Sequence, residues 1–490
     1  MNRAVRRAAP SSGHSPSLPA DRRKRLPPDS LAFALLGAAR VCVGVRAGHT
    51  LRDGLERERR SLDAIPGLAS AARLSDPQAA IHDLAARALR RRGKADALLA
   101  TIGQRIPEPA LLRELMVVSI ALLVDALSPT FAIGTSFDER VRDLPYSPFT
   151  LVDQAVHAAS SDPDLARGKG FVNAVLRTLL RRLDEEPQAL QQSLYGPGAT
   201  DLTRFELPSW WVARLRTAYP DRWQAVVERS LEQAPLVVRV NRRRTSRDAY
   251  LAGLHDAGID ADPIGFDGVR FAKATSVQRI PGFADGVVSV QDEAAQRAAP
   301  LLGPVDGMRV LDACAAPGGK TGHLLEIADI DLVALDSDAA RLARVRENLE
   351  RLGLVAQCVT GDAATPDRWW DGRGFDRILA DVPCTASGIL RRHPDIRWLR
   401  RETDIDGLSR TAQQITAALW SMLNPGGRLL LVTCSIFPEE SVGHADQFLA
   451  RHADAVVLAA PGQLLPASVG SGDGLSDHDG LFFALFEKMR

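Results

Sequence analysis

The strongest constraint on this chain is a change of rhythm near residue 301. From there, the strand-length apolar runs MRVLDA, DLVALD, AQCVT, FDRILAD and RLLLVT alternate with helical stretches such as DAARLARVRENLERLGL and LSRTAQQITAALWSML. Continuous apolar runs suit strands buried on both faces, and the intervening helices supply the cover. The pattern predicts a doubly wound, Rossmann-like α/β domain over 301–490 with a parallel sheet. Ligands of such sheets lie beyond the carboxyl ends of the strands, where the strand order reverses. The residues that close each run are therefore the ones to read for chemistry.

The rest of the chain has a different texture. Residues 1–30 are rich in Arg, Pro and Ser and read as a disordered basic tail. Over 31–190, apolar residues recur at helical spacing, as in LLRELMVVSIALLVDAL and GFVNAVLRTLLRRL, which predicts an all-helical domain. Over 191–300 the pattern mixes helix and strand: PSWWVARLRTAY, then VVRVN, then SRDAYLAGLHDAGI with Ser246 as N-cap, then GVRFA and GVVSV. A small α+β domain is expected there, and the whole chain reads as multidomain.

Composition excludes some classes. Lys plus Arg number 61 against 60 Asp plus Glu, so affinity for nucleic acid has to come from local patches. The five cysteines are scattered, with no C-x-x-C pair and no disulfide framework, which fits a reducing, cytoplasmic location. The most apolar stretch, LAFALLGAARVCVGVRAG, is interrupted by Arg40 and Arg46 and falls short of the ~18–20 residues of a membrane span. It also lies behind the basic tail, unlike a signal peptide. No membrane partner is expected, and a monomer is.

The first strand of the α/β region runs into LDACAAPGGKTGHLLE. Its loop, Cys314, Ala315, Ala316, Pro317, Gly318, Gly319 and Lys320, is small enough to let a ligand approach the backbone beside a helix N-terminus. Cys314 stands where a P-loop needs its first glycine, and the dinucleotide pattern G-x-G-x-x-G is absent. The second strand closes in Asp336, suited to ribose hydroxyls, and the third is followed by Gly361-Asp362, suited to an adenine edge. Acids on successive strand ends, after a glycine loop without phosphate features, fit S-adenosylmethionine.

The fourth strand brings Asp381 and Cys384 to the same edge across Pro383, and the fifth brings Cys434. Zinc would need three or four ligands at suitable spacing, and no histidine run supplies them, so no metal is expected. A thiol beside a methyl donor has a specific use. Pyrimidine C5 is a poor nucleophile, but thiolate addition at C6 turns the ring into an enamine whose C5 can take a methyl group. A carboxyl near N3, a role suited to Asp381, would stabilise the adduct. A free thiol is only a few per cent ionised at neutral pH, so such a site must favour the thiolate. A helix starting near Pro438 would help, and Glu439 and Glu440 would oppose it.

DACAAPGGKT, ADVPCTASGILRRHPDIRW and VTCSIFPEES resemble the motifs of the Nol1/Nop2/Sun family of RNA cytosine-5 methyltransferases, a likeness that continues to HDGLFFALFEK. The resemblance implies that Cys434, in the T-C-S motif, is the nucleophile and that Cys384, in the P-C motif, assists release. It also implies that Cys314–Lys320, with Asp336, Asp362 and Asp381, binds the methyl donor, and that Lys320 lies near the substrate. Upstream, ELPSWWVARLRTAYPDRWQAVVERSLEQAPLVVRVN and VVSVQDEAAQ are similar to the branch acting on 16S ribosomal RNA, and GKGFVNAVLR resembles the closing helix of a NusB-like RNA-binding domain. Departures from the family pattern are Thr385 after the P-C motif, the leucine in DGLFF, Gln-Asp-Glu at 291–293 and an insertion around 131–150. The implied partner is 16S rRNA, free or in an assembling small subunit. Transfer RNA or large-subunit RNA, and a non-catalytic ribosome-assembly role, are the alternatives.

Three basic clusters are candidates for the RNA surface: Arg239 with Arg242–Arg244, Arg391–Arg392 with His393, and Arg397 with Arg400–Arg401. Phosphate contacts there would fix register without reading sequence. Trp398 could stack on an extruded base or belong to the core, and a target cytosine would have to leave its stack to reach Cys434.

Overall fold

A computed structural model of the protein describes residues 26–63, 76–103, 107–132, 134–466 and 477–489. The expected basic tail lies outside these residues except for 26–30. The chain divides into two compact units, one ending at Ser193 and the other beginning at Leu194.

The described part of the first unit is helical. Its central helix, Leu31–Arg46, starts where the Ser30 hydroxyl accepts the Phe33 N–H at 3.2 Å. Phe33, Leu35, Leu36, Ala39, Val41 and Cys42 on it are all buried. The helices Leu51–Asp63, Pro77–Arg90, Ala110–Ala121 and Pro148–Ser161 pack around it. A helix that is apolar all round belongs at the middle of a bundle, which accounts for this stretch without a membrane. Among the described residues, no helix is long and apolar enough to cross one. Where the insertion was expected, a short helix at Phe137–Val141 opens on a capping box between Ser136 and Glu139.

In the second unit the helices Asp201–Phe205, Ser209–Ala218 and Trp223–Leu231 precede an antiparallel sheet. Its strands are β1 (Val237–Val240), β2 (Ala261–Ile264), β3 (Gly268–Phe271) and β4 (Val288–Val290), in the order β2-β3-β1-β4. Val238, Val240, Val269 and Val288 pack against Tyr250 and Leu254 of the helix Arg247–Asp256. Ser246 caps that helix as expected, accepting the Ala249 N–H.

The following sheet has seven strands: β5 (Arg309–Ala313), β6 (Asp331–Asp336), β7 (Gln357–Thr360), β8 (Phe375–Asp381), β9 (Leu423–Thr433), β10 (Ala455–Leu464) and β11 (Leu481–Lys488). Their order is β10-β11-β9-β8-β5-β6-β7. The pairs from β7 to β9 are parallel, but β11 runs antiparallel to both β9 and β10. The expected all-parallel sheet is therefore a mixed one. The chain winds from β5 outward to β7 and returns to β8 on the other side of β5, so the crevice opens at the carboxyl ends of β5 and β8.

Part of each basic cluster is structural, bound to acids or carbonyls within the fold. Arg239 is 1% exposed and makes a fork with Glu326, Nε and Nη2 each 2.8 Å from a carboxylate oxygen, while Nη1 donates to Gln291 and the Gly319 carbonyl. Arg391 is buried against Asp479 and Asp477, and Arg392 binds Asp479 and Asp292. Arg397, also buried, donates to the Ser230 carbonyl, and Arg400 donates to the Thr385 carbonyl at 2.9 Å. These arginines fasten the antiparallel sheet and its helices to the larger sheet. Arg242, Arg243, Arg244, His393 and Arg401 stay exposed. Arg239→Ala leaves Glu326 charged and buried without its fork, and should lower unfolding stability by about 3–5 kcal/mol. Urea denaturation of the full chain measures this, and a loss below about 1 kcal/mol would show the pair to be dispensable.

Candidate active site

The loop after β5 is shaped by backbone the sequence hints at only through its glycines. Cys314 holds φ at +63° and Gly318 at +98°, both left-handed, and a Cβ on Gly318 would come within 3.2 Å of the Val345 backbone. A non-glycine residue in that region is uncommon and belongs with ligand-binding turns. The helix Gly319–Ile327 begins directly after it. Asp336 at the end of β6 is 2% exposed and accepts the Ala316 N–H at 3.1 Å and the Asp338 N–H at 3.0 Å. It therefore shapes the Cys314–Lys320 loop, and each oxygen keeps further acceptor capacity. Asp362, after β7, is exposed and accepts the Ala364 N–H.

At the other lip, β8 delivers Asp381 and Cys384, and β9 delivers Cys434. The two sulfurs stand 3.5 Å apart. Lys320 Nζ reaches Asp381 Oδ2 at 2.6 Å. Burial disfavours the Lys320 ammonium, but the carboxylate outweighs it and raises the group, and Cys434 lies within its electrostatic reach. Contact with Cys434, burial and the charge of Glu440 push the Cys384 thiol well above its usual range. Of the pair, Cys384 is buried and Cys434 partly exposed. Cys314, by contrast, is pushed up to about 12, chiefly by burial, which disfavours a thiolate there.

The expected site residues thus sit at or just after the carboxyl ends of neighbouring parallel strands, although the role foreseen for Pro438 and the glutamates needs correction. Residues 438–440 form a single 3-10 turn and the helix begins only at Val442, so no α-helix starts at Pro438. Glu439 pairs with Arg214 at the surface. Glu440 turns inward and accepts hydrogen bonds from Thr385 and Ser435. Sequence reading also missed Asp312, which is buried under Lys320, hydrogen-bonded by Thr321 at 2.6 Å and raised by burial to about 7. Its position as the single acid of β5, RVLDA, was the available signal.

A family profile described as 16S rRNA methyltransferase RsmB/F matches residues 299–486, and an RsmF/B-like ferredoxin-like domain profile matches 207–278. The ribosomal RNA small subunit methyltransferase B of Vibrio vulnificus is 44% identical over 330 residues, covering 66% of this chain and 74% of that protein. The chain belongs to the RsmB/F methyltransferase family. The namesake enzyme of Klebsiella pneumoniae is likewise 44% identical, over 327 residues that cover 66% of this chain and 73% of that one. Among solved structures, PH0851 shares the fold with a TM-score of 0.68 at 23% identity, covering 94% of this chain and 99% of its own. A methyltransferase homolog from Pyrococcus horikoshii is 26% identical with a TM-score of 0.50, covering 59% of this chain and 98% of its own.

RsmB/F proteins are S-adenosylmethionine-dependent RNA methyltransferases, and the ferredoxin-like match falls on strands β1–β3 of the antiparallel sheet and the helices before them. The crevice fits that cofactor. Its left-handed loop admits a ligand against the backbone, and the acids Asp336, Asp362 and Asp381 suit a cationic sulfonium and ribose hydroxyls better than a phosphate.

Proposed function

We propose that this protein methylates C5 of a cytosine in 16S ribosomal RNA through a covalent bond between Cys434 and C6 of the base. The observation that carries this reading is the sulfur pair, 3.5 Å apart on neighbouring strand ends beside the Lys320–Asp381 pair. Cys314–Lys320, Asp336, Asp362 and Asp381 hold the methyl donor, which supplies an electrophilic methyl group. Cys434, partly exposed and within electrostatic reach of the Lys320 ammonium, is the sulfur of the pair that a base can reach. Its thiolate adds to C6, and electron density moves to C5, which takes the methyl group. Asp381, steadied by Lys320, faces the N3 edge and stabilises the adduct. The C5 proton passes to water, its electron pair re-forms the C5–C6 double bond, and Cys434 leaves as a thiolate, with Cys384 assisting release.

The helical unit, expected over 31–190, serves as a NusB-like RNA-binding domain. The antiparallel region over 191–300 joins it to the catalytic domain over 301–490. The enzyme acts as a cytoplasmic monomer. The small-subunit target follows the curated relatives, which are named for it.

Bisulfite sequencing of ribosomal RNA from cells with and without this protein tests the reading. One cytosine of 16S rRNA should resist conversion only when the protein is present. Resistance confined to transfer RNA or 23S rRNA, or no difference at all, would refute the target.

A further inference from the structure

The mechanism requires two cysteines on equivalent strand ends to behave differently. Each is followed by a hydroxyl residue, Thr385 after Cys384 and Ser435 after Cys434, and both hydroxyls are buried. Both are aimed at one carboxylate. Glu440 Oε1 accepts the Thr385 N–H at 2.8 Å, while Oε2 accepts the Thr385 hydroxyl and, at 2.6 Å, the Ser435 hydroxyl. Further bonds close the junction. The Gly388 N–H donates to the Cys434 carbonyl at 2.9 Å, and the Ile436 N–H donates to Ser387 Oγ, also at 2.9 Å.

Glu440 is 2% exposed, and such a carboxylate is costly unless fully bonded. Its partners include a backbone N–H, which can only donate. Packing alone could have been satisfied by an apolar side chain, so a buried acid between two thiol-bearing loops calls for an electrostatic reason.

We propose that Glu440 is the positioning residue of the cysteine pair: its carboxylate ties the Cys384 loop to the Cys434 loop, and its charge keeps Cys384 a neutral thiol that donates to the Cys434 sulfur. This rests on the roles assigned to the cysteines under Proposed function. The charged and titratable groups around the pair agree with it. Cys434 lies across from Cys384, with Lys320 and Asp381 on the Cys434 side. Burial raises the Glu440 carboxyl above its usual range, and the bonds from Ser435 and Thr385, with Arg400 that donates to the Thr385 carbonyl, act against this to favour its charged form. Burial acts on Cys384 in the same direction as the Glu440 charge. A negative charge behind Cys384 and a cation beside Cys434 thus divide one pair into a donor and an attacker.

The test reads Cys384 alone, without RNA. In full-length Cys434→Ala protein, alkylation of Cys384 by iodoacetamide is followed across pH by peptide mass spectrometry, with and without Glu440→Gln. The glutamine variant should alkylate about tenfold faster at a given pH, with its profile moved to lower pH. Glu440→Asp, which keeps the charge, should leave the profile in place. In the Cys434-containing enzyme, Glu440→Gln should lower kcat on transcribed 16S rRNA at least tenfold, with S-adenosylhomocysteine binding within twofold. An unchanged profile, or alkylation raised equally at every pH, overturns the proposal. If Glu440→Gln does not fold, Thr385→Val takes its place: it keeps the charge and removes one tie, so kcat should fall with the profile unmoved, and an unchanged kcat overturns the tie. Because alkylation needs no methyl transfer, its outcome is independent of whether Cys434 is the nucleophile.

Discussion

Cys434→Ala should lose methyl transfer by roughly 10⁴-fold or more while still binding S-adenosylhomocysteine, because the nucleophile is removed and the donor loop is not. The distinction is structural. Cys434 follows β9, whereas the loop 314–320 follows β5, and Asp336 holds that loop through the Ala316 N–H. Transfer of a labelled methyl group to transcribed 16S rRNA measures the first quantity, and calorimetry the second. Turnover within tenfold of the parent protein would remove Cys434 from the nucleophile role.

Cys384→Ala should do the opposite: turnover falls, but the protein accumulates as a covalent complex with RNA, seen as a slow band on a denaturing gel. The complex forms because Cys434 can still attack, and persists because its neighbour at 3.5 Å no longer assists departure. The double variant Cys384→Ala/Cys434→Ala should show no band. A band that requires Cys384 and survives loss of Cys434 would reverse the two roles. The buried position of Cys384 and its raised thiol argue for Cys434 as the attacker and Cys384 as the releasing group.

Much of this site was legible because catalytic strands end in unusual residues. Runs such as RVLDA and FDRILAD announce themselves as buried strands, and each gives way to a glycine loop, an acid or a thiol. The antiparallel edge was not legible. β10, AVVLAAPGQL, is partly exposed and its register shifts between Leu458 and Gly462, so it lacks clean alternation. β2, ADPI, carries a proline and exposed residues, and resembles a loop.

Charge was harder to read. Arg239 looked like a phosphate ligand because nothing near it in sequence balances it, while its partner Glu326 is 87 residues away. Glu439 and Glu440 are chemically identical neighbours, yet the 3-10 turn points one to solvent and the other into the site. Local sequence carries no sign of that difference, which depends on Thr385 and Ser435 arriving from elsewhere.

The strand order also sets a sequence of events in building the molecule. β11 lies between β9 and β10, although it is synthesised after both. Until residues 481–488 arrive, β9 has β8 on one side and an open edge on the other, and β10 has nothing to pair with. The same late segment brings Gly480, whose N–H donates to the Gly388 carbonyl in the loop beyond Cys384. The placement of the two thiols is thus a property of the completed sheet, and a ribosome finishes the scaffold of both cysteines with the same few residues.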